Sequence, residues 1–184
     1  GKDIVVFANP DFDLSEGGVA ENKPGFSLRS FDRESLRDLR LSPLPGTVAE
    51  ATFLKELAVA KGLRFQGYIG GRATEDRISK LHSPGILHIA THGFFLPGPE
   101  VDRRIKQPQQ LFPGGGARSP PKALSNPMHR AGLALSGATK AFQARKDGAK
   151  IFTGNDGILT AQEVGVLDLK NPWLAVLSAC DTGT

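Results

Sequence analysis

Three short apolar runs, each closed by a turn signal, narrow the possible folds more than any other feature of this chain. Asp3-Ile-Val-Val-Phe-Ala8 is followed by Asn9-Pro10, Ile86–Thr91 by His92-Gly93, and Trp173–Ser178 by Ala179-Cys180-Asp181-Thr-Gly183. Apolar runs of this length, bounded in this way, read as buried strands. Between the first two lies a helix, strand and helix pattern. Thr47-Val-Ala-Glu50 has the form of a capping box, and Ala51–Ala60 carries Leu54, Leu57 and Ala58 at helical spacing before Gly62. Leu63–Ile69 alternates apolar and polar, and Thr74 is placed to cap a helix running through Leu81 to Pro84-Gly85. Strand, helix, strand, helix, strand predicts a mainly parallel sheet with helices on both faces.

The remaining segments are less regular. Residues 11–45 read as a long loop with a short helix near Arg33–Leu39. Residues 97–127, rich in Pro and Gly, read as a flexible loop suited to gating or processing at Arg103-Arg104. Gly132–Leu135 and Lys150–Thr153 read as short strands, and Thr160-Ala-Gln-Glu163 as a second capping box opening a helix to Leu167. The whole, residues 1–184, reads as one domain. The strand Trp173–Ser178 would be an exposed edge, so the sheet is expected to be completed by a second chain or a missing C-terminal segment.

Composition removes several function classes. The net charge of +4 comes from scattered basic residues interleaved with acids, a weak footprint for nucleic acid. No apolar stretch approaches the ~18 residues of a membrane span. The first residues lack the shape of a signal peptide, and a single cysteine forms no internal disulfide, so the cytoplasm is the expected setting. His88 and His92 are four apart, which on a strand is about 13 Å at ~3.3 Å per residue. A metal with ligand bonds near ~2 Å does not bridge that gap, so no metal or other cofactor is expected. Gly114–Gly116 lacks the lysine of a phosphate loop.

Two strand ends carry the chemistry. In open α/β sheets sites form outside the carboxyl ends of the strands. Here one end delivers His92 and the other Cys180, the only cysteine in the chain. A lone cysteine near a histidine is a candidate nucleophile and base. The plainer readings are a histidine bonded to a backbone carbonyl and a buried thiol. Cys180 follows its apolar run rather than sitting within it, and Gly93 allows a tight turn with an N–H facing a substrate, as an oxyanion hole needs. Asp181 disfavours thiolate, so loop structure or substrate contact suits it better.

Leu87-His-Ile-Ala-Thr-His92-Gly-Phe and Leu177-Ser-Ala-Cys180-Asp-Thr-Gly183 together resemble the CHAT domain, a caspase-like cysteine peptidase module often joined to tetratricopeptide repeats. Leu44–Glu50, Asn126–Leu135 and Asp156–Glu163 are similar to it as well. The resemblance implies a caspase-hemoglobinase three-layer sandwich. It makes His92 the base, Cys180 the nucleophile, and the N–H groups of Gly93 and Cys180 the oxyanion hole, with no third orienting residue required. It implies an endopeptidase cutting a specific protein, autoprocessed into large and small subunits, in bacterial defence or regulated cell death. This chain would be the large-subunit part, with the small-subunit chain beside Trp173–Ser178 and a tetratricopeptide-repeat region as a possible regulator. By the same likeness Ser178 lines the pocket for the residue before the cut. Asp11 and Asp13 would favour a basic residue there. The alternative is a caspase-like interaction module that binds without cutting.

Overall fold

The computed structural model describes residues 2–14, 41–95, 127–146, 155–169 and 172–179. These form, in order, β1 (Asp3–Pro10), α1 (Pro45–Ala60), β2 (Arg64–Gly70), α2 (Glu75–Ser79), β3 (Ile86–Ala90), β4 (Gly93–Phe95), a 3-10 turn at Pro127–His129, β5 (Ala131–Ala134), α3 (Ala138–Lys146), β6 (Ile158–Thr160), α4 (Ala161–Val164) and β7 (Leu174–Ser178). One sheet has the order β2-β1-β3-β7, all parallel. A second, antiparallel sheet has the order β4-β5-β6.

The central strands are apolar without interruption because both their faces are covered. Ile4, Val6 and Ala8 of β1 pack with Ala51 and Ala58 of α1. Val5 and Phe7 point the other way, into a cluster with Leu87 and Ile89 of β3, Ile78 of α2, Leu135 and Leu159. Helices therefore lie on both faces of a parallel sheet, as the sequence predicts. Among the described residues no strand pairs with the outer edge of β7, and Trp173, Leu174 and Leu177 are 70%, 40% and 61% exposed. No helix of the described residues is long and apolar enough to cross a membrane.

Local chemistry departs from the sequence reading at α1. The helix starts at Pro45, whose preset φ suits a first helical position, and its N-cap is Leu44. Thr47 makes no capping box. Its hydroxyl donates to Leu44 O at 2.8 Å and accepts from Asn9 N at 2.9 Å, tying the helix to the end of β1. Asn9, at φ 42°, returns the tie by accepting from Leu44 N. Glu50, released from capping, meets His88 instead (Oε2 to Nε2, 3.1 Å). Thr74 stands at the N-cap of α2 without a side-chain cap bond, and α2 ends at Ser79. The capping box at Thr160 and Glu163 is present as expected. The strand expected at Lys150–Thr153 and the helix near Arg33–Leu39 lie outside the described residues.

Glu75 links the two sheets. It is 5% exposed, and its Oε2 has no hydrogen-bond partner. The backbone N–H groups of Gly157 and Asp156 donate to its carboxyl. Gly157 turns the chain into β6 at φ 82°, where a Cβ would stand 2.6 Å from Ser136 O and Ala138 N. Burial first, then the carboxylates of Asp156 and Glu163, push the Glu75 pKa up to about 8, against 4.5 ordinarily. The folded state holds this proton more tightly than the unfolded state. Its contribution to stability is therefore full below about 4.5 and is lost as pH rises through about 8. Thermal unfolding from pH 5 to 9 checks this: Glu75→Gln should show a shallower fall in Tm than the parent, with the difference levelling off above pH 8.

Candidate active site

The chain passes from the parallel to the antiparallel sheet through two residues, Thr91 and His92, and both are held by their backbones. Thr91 N donates to Ser178 O at 3.1 Å, extending the β3–β7 register in which Ala90 pairs with Ser178. Ala134 N donates to His92 O at 2.9 Å, continuing the β4–β5 ladder. The Thr91 hydroxyl, buried, donates to Ala134 O. One side of this dipeptide is thus fixed to the tip of β7 and the other to β5.

The His92 ring is 8% exposed and makes a defined bond: Nε2 lies 2.9 Å from Ser42 O. A carbonyl only accepts, so Nε2 carries the hydrogen, and in the neutral imidazole Nδ1 is then the nitrogen with the lone pair. Phe12 lies against the ring, centroids 5.2 Å apart at 42°. Phe12 is itself 3% exposed and packs with Phe94, Ala138 and Phe142. An oriented imidazole with one nitrogen available as base, at the carboxyl end of a parallel strand, is arranged for general base work.

A family model for the CHAT domain matches residues 1–184. The chain belongs to the CHAT domain family. This family is related to the caspase-like cysteine peptidases. Neither a curated protein nor a solved structure matches the chain.

Within this CHAT domain the residues expected at the site fall into three groups. His92, Gly93 and Ser178 are brought together at the adjoining ends of β3 and β7. Ser178 is half-buried, and its carbonyl is the acceptor for Thr91. Gly93 is the first residue of β4, opposite Leu133, so it is extended strand where the sequence predicts a tight turn. Asp11 and Asp13 form the second group, in the turn after β1 that carries Phe12 to His92. Their side chains are exposed, and Asp11 Oδ1 accepts from Asp13 N at 3.2 Å. The turn is pinned to the start of α3 by Gly137 N to Asp11 O and Thr139 N to Phe12 O, each 3.0 Å. Cys180 and Asp181 form the third group and lie outside the described residues. His88 is buried on the α1 side of β3, with Glu50 as partner.

Sequence reasoning missed two groups that contact the imidazole. Ser42 acts through its carbonyl, which leaves no trace in a residue pattern. Phe12 does leave one: a large apolar residue between two aspartates in a turn has to be buried against something.

The buried Thr91 hydroxyl bond gives a direct test of the two-sheet junction. Thr91→Val keeps the shape and removes the donor, leaving Ala134 O without that bond. The expected loss is about 1–3 kcal/mol of unfolding free energy, read from urea denaturation with an unchanged m-value.

Proposed function

We propose that this chain is the histidine- and cysteine-bearing part of a CHAT cysteine endopeptidase with a caspase-like sandwich fold. One observation carries the reading. Ser178, two residues before Cys180, pairs with Ala90, two residues before His92, and the Thr91–Ser178 bond carries that register to the sheet edge. The spacing in sequence from this pair is equal on the two strands, which supports reading His92 and Cys180 as base and nucleophile.

In this mechanism Nδ1 of His92 takes the Cys180 thiol proton, while Ser42 O holds the imidazolium that forms. The thiolate attacks the peptide carbonyl carbon, and the N–H groups of Gly93 and Cys180 bear the oxyanion. The imidazolium then gives its proton to the departing amine, leaving a thioester. Water, deprotonated by His92, hydrolyses the thioester and restores the thiol. Ser178 and Asp181 line the substrate cleft. Asp11 and Asp13, exposed in the turn beside His92, supply negative charge that favours a basic residue before the cut.

The exposed edge and apolar side chains of β7 support a partner strand there. We assign it to a small-subunit chain of the same precursor, released by autoprocessing. A cytoplasmic role in bacterial defence, under control of a tetratricopeptide-repeat region, follows from the family likeness alone.

Intact mass spectrometry of the full precursor, parent beside Cys180→Ala, tests the reading. The parent is expected to yield a larger chain that carries His92 and Cys180 and a smaller partner, and the variant to stay whole. Identical processing in both would remove Cys180 as the nucleophile and favour a module that binds without cutting.

A further inference from the structure

A cleft of about 620 Å³ lies away from His92, on the face of the parallel sheet opposite α1. Strands β1 and β2 form its floor and α2 with its flanking turns forms a wall. Neither Ser42 nor Phe12, the groups that hold the imidazole, borders it. The volume falls in the range of small-molecule sites, about 300–1,000 Å³, but such sites are usually apolar and this one is lined by charges.

The charges do not cancel. Asp76 is taken up by Lys80, whose Nζ lies 2.7 Å from Oδ1. Asp3, at the edge of the lining and half-buried, has its Oδ1 engaged by Gly85 N at 3.0 Å. His82 faces Asp168 at 3.6 Å. Arg72 and Arg77 remain, both exposed on the wall, and among the described residues no carboxylate pairs with either.

Arg77 is also held in place. Its guanidinium carbon stands 5.0 Å from the centroid of the Tyr68 ring, and Tyr68 stacks on Phe7 at 4.7 Å and 29°. Phe7 is completely buried, so the ladder from Phe7 through Tyr68 fixes the cation from the core outward. A guanidinium fixed before binding loses less entropy when it binds, and its planar fork matches phosphate oxygens in pairs. The Thr74 hydroxyl, at the same wall and without a cap bond, adds a neutral donor.

We infer that this cleft binds a phosphate-bearing small molecule, with its anionic groups held by Arg72 and Arg77. This inference does not depend on the peptidase reading, because it uses none of the residues around His92.

Isothermal titration calorimetry with sodium tripolyphosphate, and then with ATP, tests it. Saturable binding of one molecule per chain is expected. Arg72→Gln with Arg77→Gln should weaken it about tenfold or more, in keeping with two lost charge-assisted contacts. Lys55→Gln, an exposed cation on α1 across the sheet, should change affinity by less than about twofold. Arg72→Gln alone, outside the Tyr68 stack, guards against an effect through folding and should also weaken binding. Absence of saturable binding, or equal loss in Lys55→Gln, would overturn the inference. So would tighter binding of hexaglutamate than of tripolyphosphate, which would make the cleft a site for acidic peptides.

Discussion

The backbone clamp on Thr91 and His92 is the constraint on which the rest of this CHAT domain depends. A parallel strand normally ends in a loop, and a side chain at its tip inherits that loop's freedom. Here the dipeptide after β3 is held at once by Ser178 of β7 and by Ala134 of β5. His92 therefore sits where two sheets meet, and its ring needs only Ser42 and Phe12 to fix its orientation. The antiparallel sheet has a function in this arrangement: it turns a strand end into a rigid mount. Its own anchor to the core runs through Glu75, whose carboxyl receives the amides that lead into β6.

Much of the parallel sheet was legible in the sequence, because its strands are covered on both faces and so appear as unbroken apolar runs. Ile4–Ala8 and Leu87–Ala90 could hardly be anything else. Of the antiparallel sheet only β5 was legible, as the strand expected at Gly132–Leu135. β4 and β6 have three residues each, too few for a period to show, and β4 begins at a glycine that reads as a turn. α3 was missed although Ala138, Ala141 and Phe142 stand at helical spacing on one face. At α1 the residues of a capping box were present but committed elsewhere, Thr47 to Asn9 and Glu50 to His88. Local pattern proposed one set of bonds, and the tertiary structure offered better partners.

The candidate site divides in the same way. The place of His92 at the end of β3 could be read from the residues, while Cys180 lies outside the described ones. The positioning of the His92 ring could not. The carbonyl of Ser42 has no side-chain signature, and the Phe12 contact depends on a turn that α3 pins from a distant part of the chain. General base work needs both, since a base in the wrong tautomer is no base at all. Among the described residues β7 is the edge strand on the His92 side of the sheet, and its Trp173, Leu174 and Leu177 are exposed.

One measurement addresses the central claim, that the clamp sets His92 beside Cys180 as its base. The chain has a single cysteine, so its rate of alkylation by iodoacetamide reports one thiol without ambiguity. The account predicts that the pH–rate profile of the parent shows thiolate forming well below the ~8.5 of a free cysteine. It also predicts that His92→Gln, folded by circular dichroism, returns the profile to ~8.5 and slows alkylation near pH 7 about tenfold. Superimposable profiles for parent and variant would contradict it, because the imidazole would then have no influence on the thiol it is said to serve.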